Sequence, residues 1–162
     1  MKTILILGIL LGACGDDDQA AEILSCTPET ACTCDNSIDT CTCAGGSTCD
    51  VAGADHGVTL KCEGNAACNL SCGTQCHVEC PGTTGCTATV DDESTLLCTG
   101  TGECDFACTA DCTAECQGTS RCVVRCTEGA TCDVTCPSPT SCPDGLTTAC
   151  GRACPPPADG GI

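Results

Sequence analysis

Sulfur is the reactive element that this chain carries in quantity. Of its 162 residues, 25 are cysteine, and in the stretch CNLSCGTQCHVEC, Cys68 to Cys80, one falls at every fourth position. Sulfur at such density serves metal ligation, electron exchange, nucleophilic attack or cross-linking. The C-x-x-C spacing favoured by dithiol oxidoreductases, zinc ribbons and iron–sulfur proteins does not occur. C-x-C occurs twice, at Cys32/Cys34 and Cys41/Cys43, and that is a spacing for thiolate metal binding. The side chain that titrates near neutral pH is histidine, and the chain has two, His56 and His77. His56 falls in a sulfur-free linker, and His77 takes an outward position of CHVEC. No G-x-S-x-G, H-E-x-x-H or phosphate loop accompanies them. The sequence predicts no catalytic residue, no cofactor and no metal site, and leaves cross-linking as the use of the sulfur.

Cross-links need elements that hold the sulfurs, and the spacing says which. From Cys62 to Cys154 there are 18 cysteines, and every one has an even number. In an extended chain, residues two apart face the same side. A helix would use gaps of three as well as four, and no gap of three occurs. The segments CNLSC, CHVEC, CDFAC, CTAEC, CVVRC and CDVTC share the form C-x-φ-x-C, where φ is apolar or alanine. Each reads as a short strand with Cys, φ and Cys on one face. Residues such as Asn69, Ser71, His77 and Glu79 fall on the other. Loops of three or five residues separate the strands, and most of the longer ones carry Gly or Pro, which punctuate turns. At ~3.3 Å per residue, the two cysteines of one strand stand about 13 Å apart. A disulfide spans only about 4.4–6.8 Å between Cα atoms. Cys68 therefore does not bond Cys72, and bridges cross a loop or join neighbouring strands. At CTATV the slot of the second cysteine holds Val90, and Leu96 is expected to fill the next slot.

The array is duplicated. Aligning residues 54–89 with 90–125, an offset of 36, places Cys62, Cys68, Cys72, Cys76, Cys80 and Cys86 on Cys98, Cys104, Cys108, Cys112, Cys116 and Cys122. Cys126, Cys132, Cys136, Cys142, Cys150 and Cys154 continue the array. Repetition at a fixed period points to a stacked architecture. Upstream, Cys26, Cys32, Cys34, Cys41, Cys43 and Cys49 have gaps of 6, 2, 7, 2 and 6. That palindrome suggests a separate module whose halves pair. The expected organisation is a signal peptide in 1–13, an acidic tether in 14–25 and a six-cysteine module in 26–49. A linker leading into a strand follows in 50–61, then the cysteine-rich β repeat in 62–154 and a flexible tail in 155–162. The expected fold is all-β: a small disulfide-rich repeat, built as a narrow β-solenoid or as stacked short hairpins.

The N-terminal residues place the chain in a compartment. An apolar run of eight residues, Ile4 to Leu11, follows Lys2. It falls short of the roughly 20 residues that cross a bilayer and suits an export signal. LGAC, Leu11 to Cys14, resembles the bacterial lipobox, which implies that Cys14 is lipidated and becomes the new N-terminus. Acyl chains there would anchor the protein to a membrane without spanning it. GDDDQAAEILS then reads as a solvated tether. Gly15, not an aspartate, follows Cys14; by the enteric pattern of lipoprotein sorting this implies the outer membrane or cell surface.

Composition explains why the sulfurs must pair. After Cys14, Leu, Ile, Val and Phe number 17 in 148, Phe106 is the sole aromatic residue, and 22 acidic residues face 4 basic ones, a formal −18. Chains of this make-up usually stay disordered. Ordering the backbone costs roughly 1–2 kcal/mol per residue, which so few apolar side chains do not offset. In an exported chain this rich in cysteine, disulfides supply the difference. Setting Cys14 aside leaves 24 cysteines, an even number, and each bridge contributes about 2–4 kcal/mol. The charge repels nucleic acid and anionic lipid surfaces. The expected partners are the membrane, through the lipid anchor, and an envelope or surface protein or glycan. Asp91–Glu93, the acidic cluster of the repeat, lacks the ligand spacing of a calcium loop and reads as a solvated turn.

The signal together with the C-x-φ-x-C array resembles uncharacterised cysteine-rich repeat lipoproteins of some Gram-negative bacteria. That resemblance implies the anchor and the architecture but no activity. The short repeats are distantly similar to the disulfide-filled β-helix of beetle antifreeze proteins, where T-C-T motifs do the binding. Here T-C-T occurs once, Thr40 to Thr42, and no threonine ladder is expected. The C-x-C pairs are metallothionein-like, which implies reduced sulfur in place of the oxidising compartment the signal points to. The expectation is a lipid-anchored, disulfide-stabilised structural or adhesive cell-envelope protein without catalysis. The alternatives are a thiolate metal-binding protein and an ice- or surface-binding solenoid.

Overall fold

The computed structural model describes residues 23–26, 32–34, 40–45, 48–52, 57–82 and 84–156. The signal, Cys14 and His56 lie outside them. No helix occurs among the described residues. The two-residue alternation read from the cysteines is the burial pattern itself: Cys86–Val90 and Cys112–Cys116 both run buried, exposed, buried, exposed, buried.

As far as Thr135, consecutive strands do not pair with each other, so this is no stack of hairpins. They go alternately to two sheets. The first sheet runs β1 (Ile23–Cys26), β3 (Thr40–Cys43), β5 (Thr59–Cys62), β7 (His77–Cys80), β9 (Ser94–Cys98), β11 (Cys112–Cys116) and β13 (Cys132–Thr135). The second runs β2 (Cys32–Thr33), β4 (Thr48–Ala52), β6 (Ala67–Ser71), β8 (Cys86–Val90), β10 (Glu103–Cys108) and β12 (Arg121–Cys126), then β15 (Thr147–Cys150) and β14 (Pro139–Ser141). β1 to β13 pair in parallel, each with the strand one coil away. The chain is thus a two-sided β-solenoid. Thr59 pairs with His77 and His77 with Thr95, while Cys68 pairs with Cys86 and Cys86 with Cys104, so one central coil is 18 residues. The 36-residue offset in the sequence spans two coils. Both sheets extend into the six-cysteine segment, where Cys43 stands in register with Cys62.

The interior is as narrow as the sequence allows. Each strand of the central coils turns one apolar side chain inward. In the first sheet this column is Leu60, Val78, Leu96, Ala114 and Val134. In the second it is Leu70, Ala88, Phe106 and Val124. Phe106 is fully buried, and its ladder neighbours Ala88 and Val124 are smaller than it is. Leu96 therefore belongs to the middle column, not to a cysteine slot. The slot after Val90 belongs to Ser94, which is buried and in register with Cys112.

Sulfur closes both edges of this interior. Cys62–Cys68, Cys80–Cys86, Cys98–Cys104 and Cys116–Cys122 cross the longer loops at one edge. Cys72–Cys76, Cys108–Cys112 and Cys126–Cys132 cross the loops at the other. Each joins a strand of one sheet to the next strand in the other, with Cα atoms 6.1–6.4 Å apart. Cys34–Cys41 is a further bridge. A solenoid end exposes unpaired strand edges and needs a cap. Here β15 adds antiparallel to β12, and β14 to β15. Cys136–Cys150 and Cys142–Cys154 fasten this cap. Its turn is closed by Asp144, whose Oδ1 accepts from the backbone N–H groups of Leu146 and Thr147 at 3.1 and 2.9 Å.

Candidate functional site

In-register parallel strands put equivalent outward side chains ~4.8 Å apart, within reach of one another. The polar residues that the sequence placed outward use that spacing. Asn69 Nδ2 donates to Asp50 Oδ1 at 2.7 Å, one coil away. The two ring nitrogens of His77 lie 2.5 Å from Thr95 Oγ1 and 3.0 Å from Glu79 Oε1. Glu79 Oε2 in turn lies 2.9 Å from Lys61 Nζ. The Lys61 ammonium holds the Glu79 carboxyl below its usual pKa, and Glu79 holds Lys61 above its own. These two shifts are one interaction seen from its two ends. His77 is thus engaged at both nitrogens by its own sheet face.

The other cations among the described residues are held in the same way by carboxylates of the second sheet. Arg121 and Arg152 each lie 3.5 Å from Glu103, and Arg125 pairs with Asp105. Exposed pairs of this kind add little to stability. They do leave the negative charge concentrated elsewhere. Asp91, Asp92, Glu93, Asp111 and Glu128 fall in the loops of the edge bridged by Cys72–Cys76 and Cys108–Cys112, and no cation pairs with them among the described residues.

An open cleft of ≈ 270 Å³ lies beside this edge, lined among others by Glu93, Thr95, Asp111, Thr113, Thr131 and Asp133. Two of its three carboxylates already have partners: Glu93 accepts from Gln75 Nε2, and Asp111 from the Thr131 N–H, both at 2.7 Å. A calcium site needs six to eight oxygens, and among the described residues no acidic trio brings its oxygens together. The trios of close donor atoms found there are Cys98/Cys104/Cys122 and Cys108/Cys112/Cys132, each within 4.8 Å. All six are disulfide-bonded. Thiolate is the form that ligates metal, so the bridged sulfurs do not form such a site.

Cys14 lies outside the described residues. Cys26, Cys32 and Cys49 lie in strands whose backbone is described, and Cys43 is disulfide-bonded. Sequence reasoning missed the 18-residue coil, although Cys62, Cys80, Cys98 and Cys116 carry it. It also missed Ser94, which no cysteine count reveals. The threonines on the first sheet went unnoticed as well: Thr40, Thr59, Thr95 and Thr113 share one outward column, interrupted by His77. No family model, curated protein or solved structure matches the chain.

Proposed function

We propose that this chain is a lipid-anchored, disulfide-stabilised structural or adhesive module of the bacterial cell envelope, without catalysis. The observation that carries the reading is the state of its reactive groups. The described sulfurs sit in bridges, and His77 is bonded within its own sheet face. What remains outward is a rigid, strongly acidic surface. Bridges at this density require an oxidising compartment, which agrees with an export signal ending in LGAC. Anchored through Cys14 and set off by the GDDD tether, the solenoid presents its faces to an envelope or surface protein or glycan. Gly15 directs it to the outer membrane. Replacing Cys14 tests the anchor: Cys14→Ala is expected to move the protein from the membrane to the soluble fraction, or to leave the signal uncleaved. Unchanged partitioning with a cleaved signal overturns it.

The threonine column favours a second reading, binding to an ordered surface such as ice. Its threonines stand on neighbouring strands, ~4.8 Å apart, at Thr40 and Thr59 and again at Thr95 and Thr113, with His77 between the two pairs. On this reading the protein produces thermal hysteresis, and Thr95→Lys with Thr113→Lys abolishes it. Absence of hysteresis in the unmodified protein removes the reading.

A further inference from the structure

We infer that the sulfurs at the C-terminal end of the solenoid have two pairings, and that a small thiol converts one into the other. The bridges Cys108–Cys112 and Cys126–Cys132 are rungs, each joining one sheet to the other. The ladders place Cys126 beside Cys108 in the second sheet and Cys132 beside Cys112 in the first. Neighbouring strands lie ~4.8 Å apart, inside the range of about 4.4–6.8 Å that a disulfide spans. The Sγ atoms of Cys108, Cys112 and Cys132 lie within 4.8 Å of one another. The same four sulfurs can therefore join as rails, Cys108–Cys126 and Cys112–Cys132, each along one sheet. From a strand spacing of ~4.8 Å, the Cβ atoms must close by about 0.3–1.3 Å to reach a separation of about 3.5–4.5 Å. The last coil, where Cys126 and Cys132 are only half-buried, is the place where such movement meets least packing.

The conversion balances without net oxidation or reduction. A thiolate RS⁻ attacks Sγ of Cys126 and breaks the Cys126–Cys132 bond. Cys126 becomes a mixed disulfide with R, and Cys132 leaves as a thiolate. The Cys132 thiolate attacks Sγ of Cys112, forming Cys112–Cys132 and releasing Cys108 as a thiolate. Cys108 then attacks the Cys126 sulfur of the mixed disulfide, forming Cys108–Cys126 and expelling RS⁻. Two bridges stand before and two after, and the thiol is a catalyst.

Burial and sequence confine the exchange to this end. Of the ten described bridges, the three with a half-buried cysteine are Cys126–Cys132, Cys136–Cys150 and Cys142–Cys154, all C-terminal. Cys98, Cys104 and Cys122 are equally close to one another but at most 2% exposed, so a thiol does not reach them. On the edge of Cys108–Cys112 the next bridge is Cys72–Cys76, two coils or about 10 Å away, because Val90 and Ser94 fill the coil between. A rung ties sheet to sheet within a coil, whereas a rail ties coil to coil along the axis. A thiol thereby turns the end of the solenoid from cross-tied to axially tied. This inference does not depend on the lipid anchor.

The test uses the full oxidised chain incubated with substoichiometric reduced glutathione, quenched in acid and cut after Asp and Glu at acidic pH. Cleavage at Asp111 separates Cys108 from Cys112, and cleavage at Glu128 separates Cys126 from Cys132. The expected result is the appearance of peptides joined Cys108–Cys126 and Cys112–Cys132, with intact mass unchanged and Cys98–Cys104 and Cys116–Cys122 unaltered. Cys126→Ser combined with Cys132→Ser is expected to leave Cys108–Cys112 in place under the same treatment. The proposal is overturned if labelled glutathione joins Cys126 or Cys132 while Cys108 and Cys112 stay bonded. It is equally overturned if neither a mixed disulfide at Cys126 or Cys132 nor a peptide joined Cys108–Cys126 or Cys112–Cys132 appears.

Discussion

Gly100 lies in the loop between β9 and β10, and a Cβ built on it would come 1.7 Å from the carbonyl oxygen of Gly82, one coil away. Gly82 in turn would place a Cβ 2.7 Å from the carbonyl oxygen of Gly64. These glycines form a column in which backbone rests on backbone, and no rotamer change relieves the contact. Gly100→Ala is therefore expected to cost at least the ~1–3 kcal/mol of ordinary overpacking. The measurement is the denaturant midpoint under oxidising conditions. Gly85→Ala is the matched control: its Cβ would meet nothing closer than 3.9 Å, and its φ is not in the left-handed region. Equal midpoints for the two variants would falsify the stacking argument. Glycine at these positions was visible in the sequence as turn punctuation. Its stricter role, close approach between coils, was not, because the contact partner is 18 residues away.

At the scale of the strand, β8 and β9 show what a bridge is worth by lacking one. Val90 and Ser94 stand where Cys72–Cys76 and Cys108–Cys112 close the same edge in the neighbouring coils. Ser94 Oγ accepts the Cys76 N–H at 3.1 Å and donates to the carbonyl of Gly73 or Asp92. It thus gives buried backbone groups a partner where sulfur is missing. Val90→Cys with Ser94→Cys is expected to form the absent bridge, since strand register already sets the two positions. Closing so short a loop adds about 2 kcal/mol by chain entropy, offset in part by the lost bond to Cys76. Intact mass about 2 Da below the dithiol form, together with a raised denaturant midpoint, checks the first; a free dithiol after air oxidation contradicts it. The single change Ser94→Ala leaves the Cys76 N–H buried without that acceptor, at about 1–3 kcal/mol.

The whole molecule is a stack of thin coils, and its stability is divided differently from that of a globular domain. A strand of the central coils contributes one inward apolar side chain, flanked by sulfur, so hydrophobic burial is spread thinly along the axis. A bridge that closes a loop at the edge of a coil removes conformations from the unfolded chain and holds the two sheets face to face. Reduction and alkylation without denaturant are expected to abolish the β-sheet signal in the far-ultraviolet circular dichroism spectrum. A fully alkylated protein that keeps its spectrum would show that the ladders alone suffice. The cap matters at this scale too: β15 and β14 turn the last parallel edge of the second sheet into a short antiparallel one tied by two disulfides.

The sequence by itself determined the all-β class, the inward face of each strand and the need for sulfur. Those depend on local facts: a two-residue period in CNLSC or CDFAC, and too few apolar residues to offset chain entropy. It also established that Cys68 and Cys72 do not bond, because the length of an extended chain is fixed. The tertiary structure alone decided that Cys68 reaches back to Cys62 and Cys72 forward to Cys76. It also decided that Asn69 meets Asp50, and that His77 and Glu79 meet Thr95 and Lys61. Those partners are set by which strands stack on which. That choice belongs to the path of the whole chain through two sheets, not to any one repeat.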